Sequence, residues 1–255
     1  MWFRDSDLCE DHSDEWHRGC AEEGNPACMY LYATKQATPE GQLLWNGKAS
    51  VAGHAQASVK LAYAYLKVLP SHLDFDAGRA RELFAAAIKS SGDPDGHYGM
   101  ASLYLAEAHI KILSQPSTED KQRAAIEARD SALVTKAIGH LEDAARGGHA
   151  FAMFNLGICH TYGYGTRDGA RDPELAAEWF EASGLPEGLF AKSLYLDAVG
   201  REEEAESYRR KAAILGFGSG WRQRAREQTG NGGSAGPKLN LKWPHLPGGV
   251  VPPEW

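Results

Sequence analysis

The residues best suited to act on another molecule are Phe151, Asn155, Cys159 and Tyr162, at i, i+4, i+8 and i+11, a spacing that places them on one side of a helix. Two large rings with an amide between them offer rigid contact area and one directional hydrogen-bonding group, which suits gripping a peptide rather than transforming a substrate. The matching positions of earlier segments hold Gln56 and Lys60, then Asp95 and Gly99. Such a face would be polar at one end and aromatic at the other. The alternative is that the segment 110–135 or the C-terminal tail covers the rings in the folded monomer. Patterns that signal catalysis are missing: there is no S-x-x-K, C-x-x-C, H-E-x-x-H or phosphate-loop motif. Gly232-Gly233-Ser234-Ala235-Gly236 has the spacing of a nucleophile elbow, but that motif needs a strand before it and a helix after it. The ten His residues are scattered, with no metal-ligand spacing on a helix face, and His140 reads as a core residue. The expectation is therefore no catalytic residue, no metal and no cofactor.

Charge and composition narrow the partners. A formal net charge of −7 with no basic block argues against nucleic acid, whose phosphates require clustered Lys and Arg. The one local accumulation, Arg209, Arg210, Lys211, Arg222, Arg224 and Arg226, follows the acidic Glu202, Glu203 and Glu204 and reads as a solvated helix face. No apolar run is long enough to span a bilayer. The opening MWFRDSDLCEDHSDEW is acidic where a secretory signal is basic and then apolar, which favours an intracellular protein and leaves the compartment open.

These residues must be positioned by helices. In GHAFAMFNLGICHTYGYG, residues 148–165, Ala152, Leu156 and Gly157 share one helical face before Gly163-Tyr164-Gly165 breaks it. A second helix follows in DPELAAEWFEASG, where Asp172 is the cap and Pro173 sits in the first turn. Ala176, Trp179, Phe180 and Ser183 form its apolar stripe. Two such helices cannot bury both stripes alone.

The second-helix pattern recurs along the chain. A small or polar position is filled by Ser13, Gln42, Ala80, Ala137, Ala176 and Ala205. Three residues later a bulky position holds Trp16, Trp45, Leu83, His140, Trp179 and Tyr208. Four further on come Cys20, Ala49, Ala87, Ala144, Ser183 and Ala212. Units should end near Gly24, Gly53, Gly92, Gly148, Gly188 and Gly216. Successive first positions lie 29, 38, 57, 39 and 29 residues apart, a period that means stacked repeats. First helices are expected at 27–33, 56–66, 96–107, 150–162 and 189–198.

The reading is thus an all-α chain, an α-solenoid of about five to six helix hairpins over 12–227, preceded by a short segment 1–11. The long interval carries an insertion, 110–135, in which Ser117 can cap a helix that lengthens the following second helix by several turns. Residues 228–255 are a Gly/Ser linker and a Pro-rich, non-helical tail. The tail either packs back on the last repeat or reaches a partner as an extended peptide.

The stretch GHAFAMFNLGICHTYGYGTRD and DPELAAEWFEASG closely resembles the Sel-1-like repeat, a relative of the tetratricopeptide repeat. That family has A-x-x-x-L-G in its first helix, a G-x-G loop, and A-x-x-W/Y-x-x-x-A-A-x-x-G in its second. The match is strongest over 137–188, good over 205–216 and degenerate before Gly92, and His160 stands where the family usually has Tyr. The resemblance implies a non-catalytic scaffold or adaptor that holds a protein or peptide on the concave face of its first helices. The alternative is a permanent structural subunit of a large assembly, with an enzyme of the cysteine-rich kind a third reading. In bacterial cysteine-rich Sel-1-like proteins, pairs spaced like Cys20 and Cys28 close a disulfide across the repeat turn. Here the choice stays open between that bridge and two small buried thiols. CEDHSDEWHRGC also looks like half of a low-density-lipoprotein-receptor calcium module, with Asp11 and Glu15 at ligand positions. Its upstream cysteines are absent, and Ser13, Trp16, Cys20 and Gly24 fit the repeat register instead.

Overall fold

A computed structural model describes residues 13–69, 71–129, 131–165 and 169–217, and among them are twelve helices and no strand. Second helices are α1 (Asp14–Glu22), α3 (Pro39–Val51), α5 (Ala77–Ser91), α8 (Ala132–Arg146), α10 (Pro173–Ala182) and α12 (Glu202–Ile214). First helices are α2 (Pro26–Lys35), α4 (Ala55–Tyr65), α6 (Pro94–Leu113), α9 (Ala150–Tyr162) and α11 (Pro186–Ala198), and α7 (Thr118–Arg129) is the insertion. The segment 1–11, Cys9, Asp11, Arg222, Arg224, Arg226 and the linker and tail at 228–255 lie outside the described residues. The interval expected as one repeat domain, 12–227, falls across two compact units, Met1–Leu103 and Tyr104–Trp255. In the first, each helix from α1 to α5 packs on the next; in the second, α8 to α12 do the same.

Most of these helices are short, and a helix of about a dozen residues is marginal in water. Their ends are therefore fixed locally. Ser13, Asn25, Thr38, Asp76, Ser131 and Asp172 each accept a backbone N–H of the first turn through the side chain. Pro26, Pro39, Pro173 and Pro186 open the helices that follow their caps. His54 and His149, one residue after a left-handed glycine, do the same for α4 and α9.

Three expectations are corrected. Ser117 does cap a helix, accepting the Asp120 N–H at 3.0 Å, but the insertion does not lengthen the next second helix. Ser131 adopts an extended backbone and accepts the Val134 N–H, so α7 and α8 are separate helices, and α6 itself runs on to Leu113. The turn assigned to Gly188 belongs to Gly184, whose φ of 62° is left-handed. Gly188 lies inside α11, packed so closely on α10 that a Cβ would stand 2.5 Å from the Phe180 carbonyl oxygen.

The third correction concerns the core. The small positions Ala80, Ala87, Ala137, Ala144, Ala176, Ala205 and Ala212 are buried, but the bulky position is not the deepest. Of the bulky positions Leu83 alone is buried; Trp16 is 40% exposed, and Trp45, His140, Trp179 and Tyr208 are half-buried. The next residue points inward instead: His17, Asn46, Phe84, Leu141 and Phe180 are all buried. The Phe180 ring lies over Gly157 of α9, where a Cβ would come within 2.6 Å of it, and beside Phe154 at 5.5 Å. Phe180→Ala should therefore destabilise the chain by roughly 3–5 kcal/mol, and Trp179→Ala by clearly less. Urea unfolding of the two variants side by side checks the order; a larger loss for Trp179 would restore the sequence register.

Candidate functional site

The first helices α2, α4 and α6 begin at equivalent points of successive repeats, which brings their first turns together within the first unit. Gln56, in the first turn of α4, donates through Nε2 to Asp93 Oδ2 at 2.8 Å and to Asp95 Oδ2 at 3.0 Å, at the start of α6. Asp93 also accepts the Gly96 N–H at 2.9 Å through its other oxygen, so this buried carboxylate caps α6 and anchors Gln56 at once. On the other side, the Tyr30 ring of α2 stacks on His54 with centroids 4.5 Å apart and planes 17° apart. Lys60 Nζ lies 4.6 Å above that same ring, within cation–π range. Tyr30, His54, Gln56 and Lys60 are all half-buried. The result is a strip with an aromatic face, an ammonium, an amide and two carboxylates held in place.

Electrostatics follow from this packing. Burial lowers the pKa of His54, with Lys60 adding to the effect and Asp93 opposing it. The neutral ring is also what the capping geometry requires, because Nδ1 accepts the Ala57 N–H at 3.3 Å. Tyr63 on α4, edge-on to Phe84 at 5.2 Å, has its phenol pushed well above the usual range, by burial first and then by Tyr98, Asp95 and Asp93.

The expected aromatic end of the face is placed differently. Asn155 is 4% and Cys159 2% exposed, and burial pushes the Cys159 thiol up to about 12. Only Phe151 and Tyr162 reach the surface, each half-buried, beside His149 and Tyr164 respectively. The reason is that α9 packs on both α8 and α10 and buries Ala152 and every residue from 154 to 159. A helix apolar all round has no free face, and AFAMFNLGIC carried that signal. Gln56 and Lys60, expected on this face, lie beside Tyr30, His54 and Asp93, which the sequence pattern does not single out; His54 and Asp93 carry one signal, a capping residue just after a repeat-ending glycine. His140 is half-buried and stacks on Tyr104 at 5.8 Å. Cys20 and Cys28 are bridged, with Cα atoms 5.7 Å apart, joining α1 to α2 across the turn at Gly24 and Asn25.

No protein-family model matches the chain, and no curated protein does. Among solved structures it is similar to a Sel1 repeat protein from Oxalobacter formigenes, at 18% identity over 80% of this chain and 85% of that one, with a TM-score of 0.58. The chain has the fold of a Sel1 repeat protein. A protective antigen of uropathogenic Escherichia coli strains displaying an SLR fold is also similar, at 17% identity over 87% of this chain and 60% of that one, with a TM-score of 0.40. An α-solenoid of Sel1 type is built from helix hairpins, as expected, and no described helix is long and apolar enough to cross a membrane.

Two measurements test this arrangement. The folded pKa of His54 lies below its unfolded value of about 6.5, so the stability it contributes is complete above that value and declines as the pH falls through it towards the folded pKa. The protection factors of the first-turn amides of α4, which remove the intrinsic pH dependence of exchange, should therefore fall as the pH drops below the unfolded value, and His54→Asn, which keeps a capping oxygen, should flatten that dependence. Reducing the Cys20–Cys28 bridge, which closes a short loop, should cost about 2–3 kcal/mol in unfolding of the first unit; thermal melts with and without reductant read this directly.

Proposed function

We propose that this chain is a non-catalytic scaffold or adaptor that holds a protein or peptide on the face of its first helices, centred on Tyr30, His54, Gln56 and Lys60. The observation that carries the reading is the strip built by α2, α4 and α6, in which side chains from three successive repeats are ordered by one another rather than by solvent. Lys60 and Asp95, both half-buried, carry opposite charges along it, and Tyr30 supplies a rigid ring, so a bound peptide would be read for charge and for an apolar contact. The Sel1 fold supports this reading, since repeat arrays build extended binding surfaces.

The groups that might have done chemistry support a binding role as well. His54, His149, Asp93 and Asp172 are occupied in holding helix starts. The Cys159 thiol, raised to about 12 by burial, is not a nucleophile near neutral pH. The Cys20–Cys28 bridge favours an oxidising compartment over the intracellular expectation. A permanent place in a large assembly is the second reading, favoured by the outward side chains of Leu44 and Val51, which are 58% and 92% exposed.

Affinity capture with mass spectrometry from the native source, run on the wild type and on Tyr30→Ala with Lys60→Ala, separates the two. A scaffold of the proposed kind loses at least about tenfold of its captured partner in the double variant with an unchanged helical spectrum. Undiminished capture by the double variant would move the binding face elsewhere, and stoichiometric partners that survive high salt would favour the permanent subunit.

A further inference from the structure

A groove of about 870 Å³ runs along α3 in the first unit, with Met29 of α2, Leu61 and Tyr65 of α4, and Leu73 lining its other sides. None of Tyr30, His54, Gln56 and Lys60 lines it, so it is a site distinct from the proposed binding face. Its floor is a stripe of one helix: Glu40, Leu44, Gly47, Lys48 and Val51 recur at i, i+4, i+7, i+8 and i+11. Leu44 is 58% and Val51 92% exposed, an unusual display for two large apolar side chains two turns apart on one face.

Two further observations say what fits there. Gly47 is a helical glycine for which an added Cβ would meet nothing within 4 Å. Nothing among the described residues requires its lack of a side chain, although glycine weakens a helix interior. The space above it is open, so a side chain of another helix can come close to the α3 backbone there, as happens where two helices meet over small residues. The charges are the second observation. Glu40 near the start of the stripe and Lys48 near its end are both exposed, and neither forms an ion pair among the described residues; Lys48 Nζ rests 3.9 Å over the Trp45 ring.

A stripe with an acid at one end, a base at the other and a leucine beside a notch between them is complementary to itself when reversed. Laid antiparallel on a second α3, Leu44 of each copy enters the Gly47 notch of the other. Glu40 of each copy then comes within about one turn of Lys48 of the other. A two-fold axis between the helices makes every such contact twice, as an isologous interface requires. A foreign helix would have to carry the same acid, leucine, notch and base in the same order. We propose that the groove along α3 is the site at which two copies of this chain associate, helix α3 against helix α3 in antiparallel orientation.

Sedimentation velocity on the full chain, from micromolar to sub-millimolar concentration, tests the proposal. The wild type should dimerise, and Glu40→Lys or Lys48→Glu alone should weaken the dimer by at least about tenfold, because each sets like charges opposite one another. The reversed pair Glu40→Lys with Lys48→Glu should recover it. Loss of local helix stability would accumulate in the double variant, whereas a lost charge pairing is restored, so the rescue separates interface from fold. Gly47→Trp should fill the notch and abolish the dimer with an unchanged helical spectrum. A wild type that stays monomeric, a dimer indifferent to the single reversals, or a double reversal no better than the singles overturns the proposal. So does a full chain that dimerises only once residues 218–255 are removed, which would assign the groove to that segment.

Discussion

The Phe180 ring lies over Gly157, and the second unit depends on that contact. A bare Cα on α9 lets the helix come within ring thickness of α10, and the ring then fills the space that two short helices leave between them. Around it the seam is lined by Ala152, Ala176 and Ala177, all buried, so the backbones approach more closely than larger side chains would permit. Phe84 occupies the same second-helix position in the first unit, packed over Gly99 of α6 and against Tyr63. Helices of this length are not stable by themselves. Close packing over these small residues, not intrinsic propensity, holds them.

Close packing of helices leaves their ends to be satisfied, and that requirement generates the polar strip. Every first helix starts just after a second helix stops, and its free N–H groups need acceptors. His54 and His149 answer that need from side chains that also present a ring, and Asp93 answers it with a carboxylate at the positive end of a helix dipole. Because the repeat puts successive caps side by side, the acceptors on neighbouring helices meet. Gln56 bridging Asp93 and Asp95, and Tyr30 stacking on His54, follow from that register. The candidate face is thus the capping layer of the repeat, widened by the side chains one turn further along.

Much of this was legible in the sequence because period and small residues are robust signals. Ala80, Ala137, Ala176 and Ala205 could be aligned by eye and are buried in the fold. The slot three residues on is not fixed by the pattern alone. Trp179 and Phe180 straddle the centre of the same stripe, and only contact with α9 decides which turns inward; the indole, with its polar N–H, takes the edge. Asn155 and Cys159 lie inside because α9 packs on both α8 and α10, so the stripe of Ala152, Leu156 and Gly157 is only part of its buried surface. The break at Ser131 was written in the sequence as a capping residue, but the helical pattern on both sides of it masked the stop. Whether Cys20 and Cys28 join could not be read from spacing, since it depends on a turn that brings their Cα atoms to 5.7 Å.

The last hairpin of the second unit shows what happens when the alanine seam thins. Among its residues α12 buries Ala205 and Ala212, and no phenylalanine follows its bulky position, where Arg209 stands instead. Polar groups do part of the holding. Glu181 at the end of α10 accepts hydrogen bonds from both Lys192 of α11 and Tyr208 of α12, and those two donors hold its carboxyl below the usual carboxylate range. Arg209 adds an ion pair to Asp197 at 2.5 Å. Half-exposed pairs of this kind contribute little stability each, but three helices converging on one carboxylate fix the rotation of α12 about its axis. The two alanines, with Phe190 stacked on Phe217, supply attachment and the carboxylate supplies register, a division of labour that the hairpins carrying Phe84 and Phe180 accomplish with a single aromatic ring.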